Sequence, residues 1–300
     1  MIRSSLLEFP FEVLGAVERA STALARVEVA SEPGGTALAE SLVRRQAVLL
    51  VGGGEGSARS LLLEDDTASA RPARNVFRIL GESGNHQAPA PDLLNSIDTE
   101  ALTPAVRDEL LEAIALERHQ PALLRAAIAF GCVAASPPVT PQTLQAAALL
   151  SDRILAEGGL TRRSRLSPGQ LDAATRSAAV QVERSGAWLE WIRAWCLLLA
   201  RESAVVERAV RGALTELAAQ RTVARALHRV GATDELVLAH LQGVSSFTIP
   251  TAVGHLGVSA PTVGTSIERL EAAGVAVELT GQKRDRIWVS STLLRLSSGR

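Results

Sequence analysis

Apolar positions recur at helical spacing over most of the chain, and glycines and prolines punctuate them. The pattern predicts a helix from Pro10 to about Glu28, with Val13, Leu14, Val17, Ala20, Leu24 and Val27 on one face. A second helix is expected from Thr36 to Val51, stopping at Gly52-Gly53-Gly54. A short apolar turn at Leu61 to Leu63 follows, then a polar loop and a short helix from Asn75 to Leu80. Further helices are expected over Pro104 to Glu117, from Pro121 to about Ala134, and over Pro141 to Glu157 behind a Thr140 cap. Another opens at Ser167-Pro168. Trp188, Trp191 and Trp195 form an aromatic stripe that reads as core. Glu202 to Val230 continues as a helix, interrupted or kinked near Gly212, with arginines on a solvated face.

The last 70 residues carry the sharpest pattern. A helix is expected over Asp234 to Gln242, with Leu236, Val237, Leu238 and Leu241 inward. Thr248 caps a second, in which Ile249, Ala252, Val253 and Leu256 form the buried stripe and Gly257 is the stop. Ser259 caps a third, with Val263, Ile267 and Leu270 buried and Gly274 closing it. Strands at 275–279 and 286–289 flank a turn that contains Gly281. Helix, helix, tight turn, helix and hairpin is the winged helix-turn-helix arrangement, and Thr251 to Val275 matches its general pattern closely. In DNA-binding examples the third helix enters the major groove by its N-terminal half. The residues expected there are Ser259, Thr262, Thr265, Ser266 and Arg269, and Lys283, Arg284 and Arg286 on the wing would meet phosphates.

Composition bounds this picture. Three hundred residues allow two domains, and the Ala- and Leu-rich, aromatic-poor composition favours helices. The formal net charge of −1 gives no global basic footprint, and basic and acidic residues also balance over 231–300. Weak binding by that segment alone follows, because non-specific affinity comes from neutralised phosphates. Cys132 and Cys196 lie in apolar helical stretches without paired spacing and read as buried free thiols of a reducing cytosol. No signal-peptide pattern opens the chain, and the apolar run from Leu123 to Val139 holds Arg125 and ends in prolines, so no membrane span is expected. The expected location is the cytoplasm. The five histidines lack ligand spacing with Cys or acids, so no metal or other cofactor is expected.

The order of segments resembles the Fic/DOC family, in its form with an N-terminal helical domain and a C-terminal winged helix. Leu14 to Glu28 resembles the first N-terminal helix, and Glu40 to Leu63 the helix carrying the inhibitory Ser/Thr-x-x-x-Glu-Gly signature. Leu123 to Ser136 resembles the helix entering the active loop. Gly186 to Ser203 and Leu279 to Leu296 resemble the C-terminal helix and wing. The resemblance implies an active loop His-Pro-Phe-x-Asp-Gly-Asn-Gly-Arg-x-x-Arg, in which the His is the base and the glycines cradle nucleotide phosphates. Aligned without gaps, Pro137 stands at the His, Pro141 at the Asp, Thr143 at the Asn, and Gln145 and Ala148 at the two Args. Proline cannot take a proton. Glu55-Gly56 survives, but Val51 replaces the inhibitory Ser/Thr.

The expected fold is therefore mainly α: a degenerate Fic-like helical domain over 1–230 (N-terminal segment 1–100, core 101–200, linking helix 201–230) and a winged helix-turn-helix over 231–300. The expected function is a catalytically inactive, homodimeric, DNA-binding transcriptional regulator. The alternatives are a protein-interaction or antitoxin-like adaptor, and a divergent enzyme reusing the old cleft.

Overall fold

The structure is a computed structural model that describes residues 11–64, 71–82, 120–136, 139–162, 164–166, 168, 170–226 and 233–299. It is mainly helical, with one two-stranded antiparallel ribbon. The helices are α1 (Phe11–Ser31), α2 (Gly35–Leu50), α3 (Glu55–Leu62), α4 (Arg71–Glu82), α5 (Ala122–Ala134), α6 (Pro141–Glu157), α7 (Ala173–Ser185) and α8 (Trp188–Ala226). They continue as α9 (Thr233–Gly243), α10 (Ile249–Leu256), α11 (Ala260–Ala272) and α12 (Ser291–Ser297), with β1 (Ala276–Glu278) and β2 (Trp288–Ser290) before the last. The chain forms two compact units that are discontinuous in sequence. One comprises 1–29 and 78–206, the other 30–77 and 207–300. The segment 231–300 thus shares its unit with two other stretches of chain.

Several elements depart from the sequence expectation for local reasons. Residues 61–63 end a helix rather than forming only an apolar turn: α3 starts at Glu55, which pairs with Arg59 one turn on at 3.1 Å and buries Leu61 and Leu62. The helix expected from Ser167 starts at Ala173 instead, because Asp172 caps it by accepting from the Thr175 N–H at 2.8 Å. The Thr175 hydroxyl and Arg201 also donate to that carboxylate, and these bonds hold its pKa down at about 2. In α1, Leu14 is exposed while Ala16 takes the buried position. α8 runs unbroken through Gly212. α12 has no counterpart in the expectation. The helix proposed over Pro104 to Glu117, the loop prolines Pro137 and Pro138, and the end of the linking helix at Val230 lie outside the described residues.

In the first unit, α5 and α6 pack closely as a helical hairpin. Small residues permit this: Ala126, Ala127 and Ala129 of α5 and Ala146, Ala147 and Ala148 of α6 are all buried. Across the hairpin the Ser151 hydroxyl donates to the Ala126 carbonyl at 2.9 Å. Trp191 and Trp195 of the α8 stripe are buried against α5, as expected of core, and Trp188 at the start of the helix is half-buried. The Trp191 indole N–H donates to the Ala127 carbonyl at 2.7 Å, and the Phe130 ring packs at a tilt 6.0 Å from Trp191 and 6.3 Å from Trp195. Gly131 is required here, since a β-carbon would lie 2.4 Å from the Trp191 nitrogen. Cys132 and Cys196 are buried free thiols, and burial pushes the Cys196 thiol up to about 12. Among the described residues, no helix is long and apolar enough to cross a membrane.

One charged pair lies inside this unit. Asp152 is fully buried and stands 3.3 Å from the Arg165 guanidinium. Arg165 also donates to the Leu80 carbonyl at 2.6 Å, and Ser164 donates twice to Glu28. Burial raises the Asp152 pKa from 3.8 to about 6, against the attraction of Arg165. A carboxyl raised on folding contributes stability that is fully present below 3.8 and is lost as pH rises through about 6. Each unit of such a shift corresponds to about 1.4 kcal/mol. Asp152→Asn should therefore flatten the pH dependence of the urea midpoint between pH 4 and 6.5, even though leaving Arg165 without its counter-charge lowers stability overall. An unchanged pH slope in that variant would contradict this account.

Candidate nucleic-acid interface

The second unit places the C-terminal helices and ribbon around one apolar core. Val237, Leu238 and Leu241 of α9, Ala252 of α10, and Val263, Ile267 and Leu270 of α11 all point into it. Phe247, Trp288 and Ala224 of α8 complete it. Of the residues expected to face inward, Leu236 is exposed. Phe247 and Trp288 exchange backbone hydrogen bonds at 3.0 and 2.9 Å in an isolated antiparallel bridge. On its other side Trp288 pairs with Glu278 of β1. The residues just ahead of α10 are thereby stitched to the ribbon.

A polar network secures α8 to this core. Gln242 donates to the Leu217 carbonyl at 2.8 Å and accepts from Arg221 at 3.1 Å. Gln220 donates to the Thr292 hydroxyl of α12 at 2.9 Å. α12 packs on α2 and α3 and buries Leu293, Leu294 and Leu296. Ser245 donates to Glu40 of α2.

The local sequence explains how α10 and α11 are set. Thr248 and Thr251 form a reciprocal capping box at the start of α10, with Pro250 in the first turn. Gly257 ends α10 at φ +67°, a left-handed conformation that glycine adopts without strain. Ser259 then caps α11, accepting from the Thr262 N–H at 3.4 Å. Two residues, Gly257 and Val258, thus separate α10 from the α11 cap.

Of the residues expected on the N-terminal half of α11, Ser259, Thr262 and Thr265 are exposed. The Ser259 and Thr262 hydroxyls lie 2.7 Å apart, and the Thr265 hydroxyl donates to the Pro261 carbonyl at 3.0 Å. Each retains acceptor capacity. Ser266 corrects the expectation: it is 2 % exposed and sits on the buried side beside Ile267. Three residues after Val263, it falls on the same helical stripe, and its small side chain leaves it behind the surface. Arg269 is exposed along much of its length, but its guanidinium is 3.3 Å from the buried carboxylate of Asp234. Thr233, Asp234, Pro261, Thr262, Thr265 and Arg269, with Ser266 at the floor, line a shallow cleft of about 300 Å³. The Asp234 contact links residues 35 apart and had no local signal in the sequence.

The ribbon tip is organised by Glu278. Its carboxylate accepts from the Thr280 N–H at 2.7 Å and the Gly281 N–H at 2.8 Å. Burial pushes this carboxyl up, but the bonds from Thr280 and Gly281 and the charge of Arg286 outweigh it and hold the pKa below the usual value. Gly281 and Asp285 take φ of +65° and +54°. Lys283 and Arg284 extend into solvent. Arg286 is half-buried and folds back to donate to the Gln282 carbonyl at 2.9 Å, so it supports the tip.

No protein-family model and no curated protein matches the chain.

Trp288 is 1 % exposed and serves both the ribbon and the α9–α11 core. Trp288→Ala should cost about 3–5 kcal/mol, read as a lowered denaturant midpoint. The loss should be accompanied by increased amide exchange at Phe247, whose N–H donates to the Trp288 carbonyl, and at Leu279, whose N–H donates to the neighbouring Ile287 carbonyl.

Proposed function

We propose that residues 233–290 form a winged helix-turn-helix that binds duplex DNA, and that the protein is a homodimeric transcriptional regulator. The observation that carries this reading is a division of surface. Exposed hydroxyls of Ser259, Thr262 and Thr265 occupy the first turns of α11, and the exposed cations Lys283 and Arg284 occupy the ribbon tip. The first set suits base edges or phosphates in a major groove, and the second suits phosphates alone. Arg269 would lie a turn further along, already oriented by Asp234.

Balanced charge over 231–300 supports a need for two linked half-sites. α8 is the proposed contact between two copies, with its exposed arginines forming a solvated face. The same balance of charge favours a second reading, a protein-interaction or antitoxin-like adaptor using the same surface.

The remaining helices are proposed as a Fic-like scaffold without Fic chemistry. The packed pair of α5 and α6 supports the scaffold. At the positions aligned with the family's catalytic residues, Pro141 begins α6 and Thr143 is occupied with Thr140 in a capping box. Ala148 is fully buried. None offers a base or a phosphate-binding cation.

Titration of duplexes at several salt concentrations tests the reading. Lys283→Ala with Arg284→Ala should weaken binding to all sequences alike and lower the salt slope by about one per lost phosphate contact. Thr265→Ala or Arg269→Ala should instead shift preference among sites by about 1–3 kcal/mol. A wing double variant with unchanged affinity and slope would favour the adaptor reading. Sedimentation should give a dimer with or without DNA, and a monomer in both conditions would remove the two-half-site argument.

A further inference from the structure

Thr262, Thr265 and Arg269 stand at i, i+3 and i+7 of α11, so they follow one side of the helix. The Arg269 side chain is 53 % exposed, whereas that of its partner Asp234, in the first turn of α9, is 1 % exposed. One corner of the guanidinium makes the contact: Nη1 donates to Asp234 Oδ2 at 3.3 Å. Among the described residues no group accepts from Nε or Nη2. In a planar guanidinium these two nitrogens share one edge and direct their N–H groups side by side.

We propose that Arg269 reads a guanine in the major groove through Nε and Nη2, and that Asp234 is the positioning residue that aims them. The inference rests on the winged-helix reading of this surface. Chemistry selects the base. A guanidinium only donates, so its fork needs two neighbouring acceptors. Guanine presents O6 and N7 together. Adenine sets an N6 donor beside its N7, thymine offers O4 alone, and cytosine presents a donor. The Thr262 and Thr265 hydroxyls both donate and accept, so the strict preference falls to Arg269.

Charge favours a base over a phosphate. A carboxylate 3.3 Å from the cation offsets part of its attraction for a phosphate and repels the phosphate directly. A neutral base edge meets no such repulsion, and the direction of the N–H groups is retained. Asp234 is itself fixed, because α9 packs on α11 and the two share the core through Val237, Leu238, Val263, Ile267 and Leu270. An arginine already held in one direction loses less side-chain freedom when it binds.

The test starts from duplexes enriched out of a random library by the full chain. Each guanine of an enriched duplex is replaced singly by 7-deazaguanine, which keeps Watson–Crick pairing but lacks the N7 acceptor. Affinities are read by fluorescence anisotropy. One guanine per half-site should show a penalty of about tenfold with wild-type protein. Arg269→Ala, on an exposed side chain, should abolish that penalty and leave those at other guanines. Asp234→Asn keeps the shape of the buried group and removes its charge. It should shrink the same penalty by at least about threefold without lowering the salt slope, since the released cation still meets phosphates. A merely structural Asp234 would weaken binding to every duplex alike and preserve the penalty. Side-chain nitrogen relaxation by NMR checks the positioning role without a variant: in free wild-type protein the Arg269 Nε should be more ordered than that of the exposed Arg208. Equal mobility, or an undiminished penalty in Asp234→Asn, would overturn the positioning role. Penalties that are the same in wild-type protein and Arg269→Ala would overturn the guanine assignment and leave the DNA reading standing. Failure to enrich any duplex would overturn the DNA reading and this inference with it.

Discussion

The backbone exchange between Phe247 and Trp288 is the constraint on which the C-terminal surface depends. A two-stranded ribbon of three residues a side is marginal alone in water. Trp288 removes that weakness by pairing with Glu278 on one side and Phe247 on the other while burying its indole in the α9–α11 core. Once Phe247 is fixed, Thr248 is fixed as the cap of α10. The Gly257 turn then directs Ser259 and the start of α11. The ribbon tip and the first turns of α11 are thus both referred to the same side chain.

Polar contacts decide what that surface can present. Arg269 would be a free cation on an isolated helix, but the buried Asp234 carboxylate 3.3 Å away fixes its direction. Arg286 is similarly spent on the ribbon's own carbonyl. The cations left extended at the tip are Lys283 and Arg284. A surface of hydroxyls with few free cations is suited to weak, orientation-dependent contact, and this is why two copies belong to the proposed function.

The first unit rests on a different device, close approach of helices through small residues. Alanines line α5 and α6, and Gly131 leaves space for the Trp191 indole, whose N–H finds a backbone carbonyl instead of water. Asp152 and Arg165 show the opposite case, a charge pair retained inside an apolar body at an energetic cost that depends on pH.

The sequence by itself determined the elements with strong local chemistry. Thr140, Thr248 and Ser259 act as caps where their spacing to the next threonine requires it. Gly257 and Gly274 adopt left-handed φ, and the tryptophan stripe is core. Local pattern was insufficient where the deciding partner was distant or unexpected. Asp172 displaced the α7 start from Ser167 to Ala173, and α12 follows β2 with its leucines buried against α2 and α3. Tertiary structure alone gave Arg269 its partner 35 residues away and brought His240 beside His255. Helical periodicity specifies which face of an element is apolar. It does not specify which other face that element meets, and the polar residues at such meetings receive their roles only there.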